Sequence, residues 1–134
     1  MLEVGTGSGY QTAVLARLAH RVCSIERIEA LARQARVTLE SIGIRNVDIK
    51  VGDGSLGWRA RAPFEAIVVT AGSPLVPDPL VEQLSPGGRL VIPVGDRSCQ
   101  SLLRIRRSMD GGTTREELVE CRFVDLQGAF GWHD

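Results

Sequence analysis

The sequence predicts an α/β protein built on a parallel β-sheet, with antiparallel strands at one edge. Strand-like and helical segments alternate over residues 2–94, and this alternation is typical of a parallel sheet with right-handed crossovers. Beyond residue 94, two strand-like segments follow one another with no helix between them, as in a β-hairpin. A length of 134 residues favours one domain spanning residues 1–134.

The pattern of apolar residues assigns each element in order. It predicts strands at residues 2–4, 21–26, 47–51, 66–69, 89–94, 101–107 and 118–126. Helices are predicted at residues 11–18, 29–42 and 79–84, with Gly43 ending the second, and turns at residues 86–88 and 110–112. Residues 47–51 alternate apolar and polar, which indicates a strand near a sheet edge, whereas the continuously apolar residues 66–69 indicate a central strand. Pro93 lacks an N–H group, so its strand should end or bulge nearby.

Composition excludes several classes of function. Lys and Arg number 16, as do Asp and Glu, and this balance argues against a nucleic-acid partner, which calls for a basic excess. No apolar run reaches the about 20 residues of a membrane-spanning helix, so no membrane partner is predicted. Cys23, Cys99 and Cys121 are too widely spaced for a zinc motif or a disulfide framework, so no metal site is expected. Free cysteines favour a reducing, cytoplasmic location.

A glycine-rich loop joins the first predicted strand to the first helix. Gly5, Gly7 and Gly9 lack the Cβ atoms that would keep a ligand away from backbone N–H groups. Dinucleotides and S-adenosylmethionine are both bound by such loops. The dinucleotide pattern G-x-G-x-x-G requires a third glycine where this chain has Tyr10, which disfavours an NAD-dependent oxidoreductase. No Lys-Ser or Lys-Thr pair follows, which excludes a P-loop.

Polar residues stand at the ends of three further predicted strands. Glu26 ends the second strand, where a carboxylate can accept hydrogen bonds from both ribose hydroxyls. Asp53 follows the third strand, where it can accept a bond from an adenine amino group, and Thr70 follows the fourth. Parallel sheets bind ligands at this edge, so we expect one adenosyl-binding site. The alternative is that Glu26 and Asp53 only cap the elements that follow them.

Six motifs resemble one methyltransferase family over nearly the whole chain. The resemblance is to the protein-L-isoaspartate O-methyltransferases, and it lies in the glycine loop and its strand (residues 2–11), Ile25-Glu26-Arg27, the Gly-Asp-Gly segment (residues 51–58), residues 62–67, the Pro-Gly-Gly segment (residues 84–95), and Phe123-Val124 with Gly131-Trp132. The resemblance implies a Rossmann-like S-adenosylmethionine-dependent methyltransferase sheet. It also implies methyl transfer from S-adenosyl-L-methionine to the α-carboxylate of L-isoaspartyl residues, a protein-repair reaction.

The resemblance also assigns roles to the site. Residues 6–9 would contact the methionine part of the cofactor, Glu26 the ribose and Asp53 the adenine. The candidate cofactor-binding residues are Glu3, Gly5, Thr6, Gly7, Ser8, Gly9, Glu26, Arg27, Gly52, Asp53, Gly54 and Thr70.

The chain departs from the family pattern at two places. Family members carry a segment before the first motif, with an active-site serine or threonine, whereas Met1 stands where the first strand is already under way. We therefore expect that segment to be absent, assign no catalytic residue, and expect little or no activity and an exposed apolar surface through which a homodimer could form. The family's usual proline is replaced by Asp125. A non-catalytic S-adenosylmethionine-binding fragment and a methyltransferase with another small-molecule substrate remain the alternatives.

Overall fold

The computed structural model describes residues 1–133 and contains seven strands and three α-helices among them. The elements are β1 (Leu2–Val4), α1 (Tyr10–Leu18), β2 (Val22–Glu26), α2 (Glu29–Ser41), β3 (Val47–Val51), β4 (Phe64–Val69), α3 (Asp78–Glu82), β5 (Leu84–Gly95), β6 (Gln100–Arg107) and β7 (Thr113–Cys121). Two single-turn 3-10 helices, Gly54–Leu56 and Arg59–Arg61, connect β3 to β4.

All seven strands form one sheet in the order β3-β2-β1-β4-β5-β6-β7. The first five strands in this order are parallel, and β6 and β7 are antiparallel to their neighbours. This confirms the predicted parallel sheet with an antiparallel C-terminal edge. The carboxyl ends of β1, β2, β3 and β4 consequently lie along the same rim of the sheet.

Two apolar clusters hold the helices against the sheet. The smaller joins α1 and α2 to β2, with Ala16, Val22 and Leu39 buried in it. The larger contains side chains from the middle of the sheet, such as Leu2 and Ile67, and the α3 residue Leu80. Each fully buried leucine or isoleucine of this kind contributes about 1.5–3 kcal/mol to folding, so the central strands form the stable frame on which the loops rest.

Two predicted boundaries were wrong. The turn predicted at residues 86–88 lies within β5, as a bulge: the partners of β4 jump from Leu84 to Arg89. The last strand spans Thr113–Cys121 rather than residues 118–126. Because β7 is an exposed edge strand with few apolar residues, apolar periodicity detects only its second half.

The chain beyond β7 runs across the carboxyl ends of the parallel strands instead of extending the hairpin. Gly72, just after β4, donates its N–H to the carbonyl of Val124 at 2.7 Å and accepts the N–H of Leu126 at 2.8 Å. The indole Nε1 of Trp132 donates to the same Gly72 carbonyl at 3.1 Å. Residues 124–132 therefore form a cover over the rim, which we call the C-terminal cover.

The three cysteines, Cys23, Cys99 and Cys121, are free, and Cys23 is buried. Within residues 1–133, no helix is both long enough and apolar enough to cross a membrane.

Candidate functional site

The glycine loop between β1 and α1 adopts a backbone conformation that only glycine tolerates well. Gly5, Gly7 and Gly9 have φ angles of 99°, 55° and 87°. A Cβ on Gly5 would collide with the Oγ1 atom of Thr70, which donates to the carbonyls of Val4 at 3.0 Å and Gly5 at 2.8 Å. The end of β4 therefore fixes the loop, and Thr70 lies beside it as predicted.

Glu26 joins the glycine loop to the end of β2. Its Oε2 accepts the N–H of Gly7 at 2.8 Å, and its Oε1 accepts the N–H of Ile28 at 3.0 Å. These bonds hold the carboxylate in one orientation, yet each oxygen keeps a lone pair for another donor. Glu26 thus caps a following loop and also faces the cavity described below, so the capping role and the ligand-binding role are compatible.

Glu3 lies beneath the glycine loop in a buried hydrogen-bond network. Its Oε1 accepts the hydroxyls of Thr12 at 2.5 Å and Ser24 at 2.6 Å, and Ser24 also contacts the hydroxyl of Thr6 at 2.5 Å. Burial raises the pKa of Glu3, and the hydrogen bonds from Ser24 and Thr12 partly offset this increase. Among the described residues the Oε2 atom has no partner. Glu3 is fully buried, so its network supports the glycine loop from below.

A cavity of about 390 Å³ opens between the glycine loop, the end of β2 and the C-terminal cover. Its size falls within the about 300–1,000 Å³ typical of small-molecule sites. Its walls are largely apolar, and Glu26 and Thr70 bring polar side chains to it. The lining residues are Val4, Gly5, Gly7, Ile25, Glu26, Arg27, Ile28, Leu31, Gly54, Thr70, Ala71, Val124, Asp125, Leu126 and Gln127.

Six of the twelve predicted cofactor-binding residues line this cavity. They are Gly5, Gly7, Glu26, Arg27, Gly54 and Thr70. Ser8 and Gly9 line an adjoining groove between α1 and α2, which Gly7 shares with the cavity. Glu3 and Thr6 are buried below the loop. The structure thus gathers the glycine loop and the β2 carboxylate at one site.

Asp53 and its neighbour Gly52 lie at the same rim but outside the cavity lining. The Oδ1 of Asp53 accepts the N–H and the hydroxyl of Ser55 at 2.9 and 2.6 Å. Its Oδ2 accepts the N–H of Ala129 at 2.8 Å, and Ser55 accepts the N–H of Phe130 at 3.1 Å. Asp53 therefore fastens the C-terminal cover to the end of β3. A contact between Asp53 and adenine remains a prediction.

The sequence reasoning did not place the C-terminal cover in the site. Val124, Asp125, Leu126 and Gln127 contribute a complete wall of the cavity. The approach of this segment to Gly72 depends on a long-range backbone pairing, which no local pattern reveals. The family motif around Phe123 and Val124 was the one available signal.

The sheet order, glycine loop and acidic strand end define the class of Rossmann-like S-adenosylmethionine-dependent methyltransferases, a fold shared with solved structures of that class. The family model for protein-L-isoaspartate(D-aspartate) O-methyltransferase matches residues 1–130. This chain therefore belongs to the protein-L-isoaspartate(D-aspartate) O-methyltransferase family.

Relatives and solved structures agree with this membership. Protein-L-isoaspartate O-methyltransferases of Trichlorobacter lovleyi and Geobacter metallireducens are 61% and 57% identical, each over 98% of this chain and 61% of the relative. A solved protein-L-isoaspartate O-methyltransferase superposes with a TM-score of 0.88 at 32% identity, over 97% of this chain and 42% of that chain. A Plasmodium falciparum protein described in the same terms, solved with S-adenosyl-L-homocysteine, gives 0.78 at 25% identity, over 94% and 64%. The chain thus spans about three fifths of the curated relatives' length.

Proposed function

We propose that the cavity binds S-adenosyl-L-methionine. The observation that carries this proposal is the Glu26 carboxylate, held by the glycine loop and facing an apolar cavity of about 390 Å³. A carboxylate at the end of β2 matches a ribose with two vicinal hydroxyls, and apolar side chains such as Ile28 and Leu31 suit an adenine ring.

Two features favour this cofactor over a dinucleotide. Tyr10 occupies the position of the third glycine, and it is 80% exposed, so its side chain stands outside the loop. The family relationship points the same way, because the Plasmodium falciparum relative was solved with S-adenosyl-L-homocysteine.

We further propose that the family's reaction, methyl transfer to the α-carboxylate of L-isoaspartyl residues in proteins, is the function this site serves. When bound, the cofactor supplies a methyl group on a positively charged sulfur. An α-carboxylate is ionised near pH 7 and needs no general base. The residues of this chain would therefore act by alignment and by exclusion of water, which the apolar walls and the C-terminal cover provide.

Cofactor binding and turnover need separate tests, because the chain covers about three fifths of its curated relatives. Incubation of the 134-residue chain with an isoaspartyl peptide and radiolabelled cofactor measures turnover directly. Methyl ester formation would show that these residues suffice for the reaction. Binding of the cofactor without turnover would favour the alternative of a binding unit. A cytoplasmic location and a homodimer remain predictions.

The decisive experiment for the cofactor is calorimetry with S-adenosyl-L-homocysteine and with NAD. We expect binding of the first ligand only. Glu26→Gln should weaken that binding by about 10–100-fold, since a hydrogen bond to a charged group contributes about 1.5–3 kcal/mol. Glu40→Gln is the matched control, because Glu40 is exposed and lies outside the cavity. Equal affinities for wild type and Glu26→Gln would contradict the proposal.

A further inference from the structure

Arg97 places a guanidinium group beside the cavity, and cofactor binding does not explain why it is there. Arg97 lies in the loop between β5 and β6, and its Nε is 2.8 Å from Oδ2 of Asp125. Asp125 lines the cavity, where it belongs to the C-terminal cover. The ion pair therefore connects the cavity wall to a cation whose side chain is 54% exposed.

The guanidinium of Arg97 is also stacked on an aromatic ring. Its Cζ lies 4.7 Å from the centroid of the Trp132 ring. The indole N–H of Trp132 donates to the carbonyl of Gly72, the residue that follows the cavity residue Ala71. The cation–π contact and the ion pair together hold the guanidinium at the rim of the site.

The loop that carries Arg97 is itself fixed. Oδ1 of Asp96 accepts the N–H groups of Ser98 at 2.7 Å and Cys99 at 2.9 Å. The buried side chain of Gln100 donates to the Asp96 carbonyl at 2.5 Å and accepts the N–H of Phe123 at 2.7 Å. Gln100 therefore joins the loop to the chain just before the C-terminal cover, so that Arg97 and the cavity wall keep one relative position.

We propose that Arg97 binds the carboxylate of the substrate and presents it at the rim of the cofactor cavity. This inference rests on the proposed function, since a carboxylate substrate is what the reaction requires. The ion pair with Asp125 is made through Nε of Arg97, and neither terminal nitrogen of Arg97 has a hydrogen-bond partner among residues 1–133. Two N–H donors of a fixed guanidinium match the two oxygens of a carboxylate.

The same contact accounts for product release. Methylation converts the carboxylate into a neutral ester, so the charge that attracts Arg97 disappears with the transfer. Arg97 thus favours the substrate over the product. Asp125 acts as a positioning residue, because it orients Arg97 without contacting the substrate carboxylate.

The test is the binding of a labelled isoaspartyl peptide to the 134-residue chain saturated with S-adenosyl-L-homocysteine, measured by fluorescence anisotropy. Arg97→Gln should weaken peptide binding by about 10–100-fold while the affinity for S-adenosyl-L-homocysteine stays unchanged. Arg97→Lys should be intermediate, because lysine keeps the charge and loses the planar pair of donors. The exposed Arg45, which lies outside the cavity, provides the control Arg45→Gln.

Salt dependence separates a direct contact from a structural effect. Wild-type affinity for the peptide should fall as ionic strength rises, and this slope should flatten in Arg97→Gln. Asp125→Asn should weaken peptide binding several-fold and keep the salt dependence. Peptide affinity and salt slope equal to wild type in Arg97→Gln would overturn the inference. Failure of wild type to bind S-adenosyl-L-homocysteine, or to prefer an isoaspartyl over an aspartyl peptide, would instead overturn the proposed function.

Discussion

Gly54, just after β3, packs closely against the β1 residue Val4, so substitutions at these two positions test the packing between the strand ends. A Cβ placed on Gly54 would collide with Cγ1 of Val4, a β1 side chain that is 2% exposed. Both residues line the cavity. The φ of Gly54 is not positive, so alanine introduces no backbone strain and the effect of Gly54→Ala is one of space alone.

The size of the effect follows from packing. Insertion of a methyl group into a close-packed interior costs about 1–3 kcal/mol, so urea unfolding of Gly54→Ala should show a loss of that size. Val4→Ala removes two methyl groups at about 0.8 kcal/mol each and leaves a cavity, for a total of about 2 kcal/mol. In the double variant the new methyl fills part of that space. The double variant should therefore lose about 1–2 kcal/mol less free energy of unfolding than the sum of the two single losses.

Gly52→Ala is the matched control for stability. A Cβ there meets only the end of the Lys50 side chain, at 3.7 Å, which is an ordinary contact. Its free energy of unfolding should equal that of wild type or exceed it slightly, since alanine lowers the entropy of the unfolded chain. Additive costs for Val4 and Gly54, or no cost in Gly54→Ala, would refute the packing argument.

Two further predictions concern the groups around the glycine loop. Thr70→Val removes the hydroxyl that donates to two loop carbonyls, so it should lower the free energy of unfolding by about 1 kcal/mol and weaken S-adenosyl-L-homocysteine binding in calorimetry. The same change at the exposed Thr114 should do neither. Glu3→Gln tests the buried carboxyl, whose pKa is raised above 4.5 by burial. The folded protein holds this proton more tightly than the unfolded chain does, so the resulting stability is complete below about pH 4.5 and is lost as pH rises through the folded-state pKa. The stability of wild type relative to Glu3→Gln should thus decline from acidic to neutral pH in urea titrations. A difference that is constant with pH would contradict this assignment.

The sequence predicted those parts of the site that local pattern encodes. The glycine loop and Glu26 follow apolar strands directly, so the periodicity that located β1 and β2 also located them. The edge position of β3 followed from its alternation of polar and apolar residues in the same way. The glycine loop and Glu26 lie at the same rim of the sheet because β1 and β2 are parallel.

The remainder depends on contacts between distant parts of the chain. Local pattern placed Asp53 at the end of β3 as a predicted contact for adenine, but it did not predict the hydrogen bonds that Asp53 accepts from Ser55 and Ala129. The pairing of Gly72 with residues 124 and 126 has no counterpart in local periodicity, so the wall it forms was not expected. The local sequence does not distinguish Arg97 from other surface arginines, because its contacts with Asp125 and Trp132 are visible only in the structure.

The C-terminal cover also determines when the cavity comes into existence during translation. The glycine loop and Glu26 leave the ribosome before the opposite wall of the cavity, which begins at Val124 and is fastened at Ala129. A nascent chain that has not reached these residues holds an open rim rather than an enclosed site. The cavity can therefore be enclosed only after synthesis has passed the segment that Asp53 captures.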